Sequence, residues 1–162
     1  MFVNAVLMAT LADVAWENVT YESTVPYIPP VTAGKVVKVY DGDTITIATK
    51  MPGSDTMYRL SVRLAGIDCP EIKSKIASEK EVAQLAKQFV TTQVMGEIVS
   101  LENVKMEKYG RLLARVWYHD PFTLDPLCIN DKLCEQRLAV AYDGGTKVSP
   151  SNWSTYYENK IE

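Results

Sequence analysis

One histidine and three cysteines in 162 residues leave little for soft-metal or histidine-based chemistry. His119 stands in His119-Asp120-Pro121, beside a predicted turn, and reads as a loop residue. A zinc site or a Ser-His-Asp triad therefore has almost nothing to stand on. Cys69, Cys128 and Cys134 are an odd, sparse set without a C-x-x-C pair. They read as reduced thiols, with a Cys128–Cys134 bridge left open. Positive charge is also short: 17 Lys and Arg stand against 20 Asp and Glu, a net charge of −3. That argues against a protein that coats nucleic acid, but a basic groove can be local, and Lys73, Lys75, Lys80, Lys87, Lys105, Lys108, Arg111 and Arg115 are its candidates. No apolar run is long enough to span a bilayer. The N-terminal stretch MFVNAVLMATLADVAW lacks a basic start and is interrupted by Asn4 and Asp13. It reads as a packing arm or partner-docking segment ahead of an export signal, which favours an intracellular setting. Were it a signal ending near Ala12 or Ala15, the protein would be secreted, and the sequons at Asn18 and Asn152 would gain meaning.

The chain has the length and composition of one globular domain, 47% hydrophobic and 23% charged. Pro26, Pro29 and Pro30 mark residues 1–33 as an arm and linker, leaving residues 34–162 as the domain. Val37, Val39, Ile45 and Ile47 alternate with period two around Asp41-Gly42-Asp43. After a turn at residues 51–55, Tyr58, Leu60, Val62 and Leu64 alternate strictly, which sends Arg63 to the face opposite the core. Ser78-Glu79-Lys80-Glu81 has the form of a capping box, and Val82, Leu85, Ala86, Phe89, Val90 and Val94 follow at helical spacing, with Gly96 placed to end the helix. Residues 98–104 and 112–118 read as two strands joined at Tyr109-Gly110; short helices are expected near 129–137 and from Ser151. No repeat or heptad is present, and a monomer is expected. Three strands, a helix, two strands and further helices suit an α+β, mainly β fold: a five-stranded barrel of the oligonucleotide-binding (OB) type with about three helices.

Three segments carry chemistry. Arg63-Leu64-Ala65-Gly66-Ile67-Asp68-Cys69-Pro70-Glu71 places an arginine and two carboxylates around a proline-stiffened turn at a strand end. Asp41-Gly42-Asp43-Thr44 lies upstream and Lys108-Tyr109-Gly110-Arg111 downstream. Each alone fits a turn or hairpin corner. Together they supply carboxylates for a hard cation, two guanidiniums for a phosphate and a spare carboxylate as base, an inventory for cutting a phosphodiester.

In this order the three segments resemble the signature of the thermonuclease (staphylococcal nuclease-like) family, and Leu138 to Gly145 resembles that family's later segment, a likeness over about residues 34–145. The resemblance implies a nuclease of low sequence specificity acting on DNA, RNA or both and leaving a 3′-phosphate. It implies that Asp43, Asp68 and the backbone carbonyl of Cys69 ligate Ca2+, and that Asp41 orients waters on the metal. Glu71 is then the general base for attacking water, Arg63 and Arg111 bind the phosphate, and Lys108, Tyr109 and Tyr142 contact the nucleotide. Cys69 departs from a position that can hold threonine, which matters only if its thiol, rather than its carbonyl, were to bind metal. The alternative is a catalytically inactive nuclease-like module that binds nucleic acid or protein; such a module is expected to lose site residues, and here all five of Asp43, Arg63, Asp68, Glu71 and Arg111 are present. A third reading, an unrelated OB barrel, would stack bases on Tyr40, Tyr58, Trp117 and Tyr118.

Overall fold

The protein, seen in a computed structural model, is described over residues 14–159. The apolar stretch of the first thirteen residues, read above as an arm, lies outside the described residues.

Strands β1 (Ala33–Val39), β2 (Thr44–Lys50), β3 (Met57–Leu64), β5 (Ile98–Met106) and β6 (Leu112–His119) close a five-stranded barrel. They run β3-β2-β1-β5-β6, and β6 returns to β3 in a parallel pairing, through Val62↔Leu112 to Leu64↔Ala114. Between β3 and β5 lie β4 (Ile67–Asp68) and helix α1 (Ala77–Val94); after β6 come β7 (Pro126–Cys128), α2 (Ile129–Glu135), β8 (Val140–Ala141) and α3 (Trp153–Glu158). The α+β barrel with three helices expected from the sequence is the fold observed. Short β7, β4 and β8 left no periodic signal.

The barrel is filled by Val36, Val39, Ile45, Ile47, Val62, Leu64, Val99, Leu112, Ala114 and Val116, all buried. Branched aliphatics dominate because two-faced strands need stiff side chains that fit a pleat, and each fully buried one contributes about 1.5–3 kcal/mol. Helix α1 covers one end through Val82, Ala83, Ala86, Val90 and Val94. One expectation fails in β1. Val36, not Val37, faces the core, because the β1–β2 register shifts between Val36 and Lys38 and turns Val37 outward. A bulge adds one residue and resets the face on which the next side chains fall.

The capping box fails as well. Helix α1 starts before it, with Ile76 as N-cap and no side-chain cap, so Ser78 lies inside the first turn. Gly96, with φ +85, does follow the helix end as expected. The terminal helix starts at Trp153, two residues after Ser151, with Asn152 accepting the Thr155 N–H at 3.0 Å. Cys69, Cys128 and Cys134 are all free thiols, so the Cys128–Cys134 bridge is not formed. His119 ends β6 opposite Pro126, exposed.

Asn130, buried on α2, ties the helix to the barrel. Its amide donates to Ala65 O (2.7 Å) and Ala114 O (3.3 Å), and its Oδ1 accepts the Val116 N–H (3.0 Å). With its amide group so satisfied, the buried asparagine costs little and fixes one docking angle for α2.

Candidate active site

The strands deliver three loops to one cleft of about 740 Å³. The loop between β1 and β2 brings Asp41 and Asp43. Gly42 has to be glycine there: a Cβ would meet Ala86 Cβ at 2.8 Å and Cys69 Sγ at 2.9 Å, so helix and loop pack directly on its backbone. Asp41 Oδ1 accepts the Asp43 N–H (3.2 Å), an Asx-type turn that sets the second carboxylate. Asp43 O accepts the Leu64 N–H (2.8 Å), locking this loop to the end of β3. Asp68 is fixed by β4, where it pairs with Val140 of β8.

Arg63 joins the two loops. Its Nη1 pairs with Asp43 Oδ2, and its Nη2 donates to Asp68 Oδ1 (3.1 Å) and Ile67 O (3.3 Å). Asp43 and Asp68 are 7% and 6% exposed, so both carboxylates are buried and depend on this fork. Burial alone would lower the Arg63 pKa, but the facing carboxylates of Asp43 and Asp68 outweigh it and raise it. Arg111 is held differently. Glu107 grips its Nε (2.7 Å) and Nη2 (2.8 Å), while Nη1 stands 3.4 Å from Thr44 Oγ1. The bidentate bond raises the Arg111 pKa and lowers that of Glu107. Gly110, at φ +81, makes the tight turn between them.

Lys147, like Glu107, is a site residue that sequence reasoning missed. Its ammonium lies 2.6 Å from Asp68 Oδ2 and 3.4 Å from Glu71 Oε1. Nothing near Lys147 in sequence signals this; it enters the cleft because the Tyr142 N–H bonds Gly66 O and starts the turn beyond β8 beside the Asp68 loop. Burial would lower its pKa, and Asp68 and Glu71 overcome that and raise it.

Every sequence-derived site residue lines this cleft: Asp41, Asp43, Arg63, Asp68, Cys69, Glu71, Lys108, Tyr109, Arg111 and Tyr142. Glu71 is exposed, as a side chain open to substrate has to be. Tyr109 is 72% exposed, with Lys108 Nζ 4.9 Å above its ring. The expected basic patch divides. Lys73, Lys87, Lys108 and Arg111 line the cleft, whereas Lys105 and Arg115 line a second hollow, and Arg115 is paired with Asp131 at 2.6 Å. Tyr118, a stacking candidate, is only 2% exposed and donates its hydroxyl to Gln93 Oε1, so it is a core residue.

The donors suit a hard cation. Burial first, then the Asp43 charge, raises Asp41 to a pKa of about 6, a sign of negative charge crowded onto this loop. Burial and the same carboxylates push the Cys69 thiol well up, so it stays protonated and is no soft ligand. Among the described residues no three His, Cys, Asp or Glu side chains group closely enough to hold an ion by themselves. An ion here would complete its shell with main-chain, water or phosphate oxygens, as oxygen-seeking cations do.

The raised Asp41 pKa has a testable consequence. A carboxyl held above its unfolded value binds more protons when folded, so stability falls as pH rises from about 4 through about 6 and stays lower above. Asp41→Asn keeps the Oδ1 acceptor and removes the charge. It is expected to stabilise by roughly 1 kcal/mol after allowance for solvent screening, about 2–4 °C in Tm at pH 8. The gain should vanish below pH of about 4, where wild-type Asp41 is protonated in both states. Melting curves at both pH values check it, and an equal gain at both would show that charge is not the cause.

Comparison with known proteins agrees with this geometry. The family model described as "Staphylococcal nuclease homologue" matches residues 61–159, more than half of the chain. The match starts later than the resemblance read from the sequence and ends beyond it, so Asp41 and Asp43 lie outside it and are set in the cleft by the fold. Endonuclease Htp3 of Saprolegnia parasitica is 28% identical over 143 residues, 83% of this chain and 64% of that protein. The thermonuclease of Staphylococcus hyicus is 32% identical over 109 residues, 66% of this chain and 57% of that protein. An uncharacterized endonuclease of Haemophilus influenzae is 35% identical over 108 residues, 67% of this chain and 51% of that protein. The chain thus spans less than two thirds of the length of these relatives. With a barrel of this topology and a match over most of its length, the chain belongs to the staphylococcal nuclease family.

Proposed function

We propose that this chain is a calcium-dependent nuclease, acting as a monomer, that hydrolyses phosphodiester bonds of DNA, RNA or both with little sequence preference. The observation that carries the reading is the convergence of buried Asp43 and Asp68 on Arg63, with Glu71 and Arg111 lining the same cleft. The names of the relatives, endonucleases and a thermonuclease, point the same way.

Asp43, Asp68 and the Cys69 carbonyl would hold the calcium ion, with Asp41 orienting its waters. Bound there, calcium supplies positive charge to a phosphate oxygen and so favours the more highly charged transition state. Arg63 and Arg111 add fixed charge whose planar forks suit phosphate oxygens and strengthen as negative charge develops. Glu71 takes a proton from water as the water oxygen bonds to phosphorus and the ester P–O bond breaks, the leaving oxygen departing as an alcohol with a proton taken from solvent. Lys108, Tyr109 and Tyr142, which line the cleft, would hold the nucleotide flanking the scissile bond. Six cations and five carboxylates line the cleft, so it is locally positive in a protein whose net charge is −3. Binding away from the site is accordingly weak.

The test is cleavage of single-stranded DNA, duplex DNA and RNA with calcium, magnesium or a chelator. Cutting with calcium that stops with chelator is the expected result. A well-folded protein that cuts none of them with any metal overturns the reading and leaves the inactive binding module.

A further inference from the structure

Glu79 sits in the first turn of α1, between the Ser78 and Glu81 that the sequence suggests as a helix-capping pair, and its carboxylate serves the loop before the helix. Its Oε1 accepts the backbone N–H of Glu71 at 3.1 Å, and its Oε2 accepts the Ser74 hydroxyl at 2.6 Å. Ser74 Oγ in turn accepts the Ile76 N–H at 3.1 Å, and the Ser74 N–H donates to Glu71 O at 3.0 Å. One helix carboxylate therefore ties both ends of the 71–74 turn. Without it, Glu71 would be held through its Lys147 contact and the turn's own backbone bond, on an exposed loop with no strand to stiffen it.

We propose that Glu79 is the positioning residue for Glu71: it fixes the backbone from which the base reaches the cleft and touches neither metal nor substrate. This deepens the nuclease reading and rests on it. The physical need is plain. A side chain on a loose loop samples many directions, whereas a base must stand within hydrogen-bond reach of its water, and a misplacement of about 1 Å can cost about 10²-fold. Charge-assisted bonds from a backbone N–H and a hydroxyl to one carboxylate are strong enough to select one loop geometry. They come from a helix that packs on the barrel through Val82, Ala83 and Ala86, so the loop inherits the rigidity of the core.

The test combines rates with amide exchange. Wild type, Glu79→Ala, Glu71→Gln and the double variant are assayed on single-stranded DNA with calcium at high enzyme concentration. Hydrogen exchange at the Glu71 amide is followed in wild type and Glu79→Ala without substrate. Glu79→Ala is expected to lower kcat by about 10- to 100-fold with little change in KM, and to speed exchange at Glu71. In the Glu71→Gln background the same substitution should cost nothing further, since a residue that acts through Glu71 has nothing left to position. An equal loss in both backgrounds, or unchanged Glu71 exchange, overturns the proposal. Should Glu79→Ala fold poorly, Ser74→Ala removes the Oε2 partner alone; it is expected to lower kcat in the same direction by less, and an unchanged kcat counts against the tie. A wild type that does not cut overturns the catalytic role together with the nuclease reading, and faster Glu71 exchange in Glu79→Ala would then locate the failure in the function, not in the tie.

Discussion

Glu71→Gln is expected to lower the cleavage rate by about 10²–10⁴-fold while fold and calcium binding persist. Glutamine keeps the shape and the hydrogen-bonding reach of the side chain but cannot take a proton from water. The structural cost is small because Glu71 is exposed and its side-chain contact is Lys147 at 3.4 Å; its main chain stays bonded to Glu79 in the variant. Substitutions at such positions usually lie within about 0.5 kcal/mol of wild type. The loss should fall on kcat, with KM little changed, since the proton is accepted only on the way to the transition state. Three measurements check it: the steady-state rate, the Tm, and calcium affinity by calorimetry. A variant that keeps wild-type turnover removes Glu71 from the chemistry, and one that loses calcium binding as well as rate makes it a ligand instead.

The parts of this site that the sequence made legible are those whose geometry is local. Period two in Leu60, Val62 and Leu64 sends Arg63 off the core face, and the structure places it there, against Asp68 only five residues on. Arg111 is read from the local Lys108-Tyr109-Gly110-Arg111 turn, although Glu107, which grips it from four residues upstream, carries no signal of its own. Where the deciding contact is distant, the signal is absent. Lys147 meets Glu71 across 76 residues, and nothing in its neighbours tells a loop lysine from a site cation. Asn130 looks like any helix-start polar residue until Ala65 and Ala114 supply the carbonyls that bury it. Glu79 carries no signal of its own. Ser78 and Glu81, three residues apart, have the form of a capping pair, but Ser74, four residues upstream of Ser78, takes the Ile76 N–H, and the Glu79 carboxylate between the pair turns to Glu71. The misread β1 face has the same root: alternation predicts sidedness only while register is continuous, and the shift near Val37 is set by pairing with β2.

Arg63→Lys is expected to cut activity by about 10²–10³-fold and to lower Tm by several degrees, two losses with separate causes. Lysine keeps the charge but offers a single ammonium where Arg63 spans Asp43 Oδ2, Asp68 Oδ1 and Ile67 O. At least one buried acceptor then loses its partner, which costs about 1–3 kcal/mol. Calcium separates the two effects. An ion held by Asp43 and Asp68 would satisfy the same oxygens that the lysine leaves exposed to repulsion, and a ligand that binds only the folded state raises its stability by mass action. The Tm gap between variant and wild type should therefore narrow as calcium is added. The activity gap should not, because the planar fork that meets the phosphate is missing whatever the metal concentration. Arg111→Lys supplies the contrast: Arg111 binds the partly exposed Glu107, not the buried aspartates, so its Tm loss should be smaller at a similar loss of rate. If calcium restores both stability and rate to Arg63→Lys, Arg63 acts only as a clamp on the two aspartates, and phosphate recognition falls to Arg111 alone.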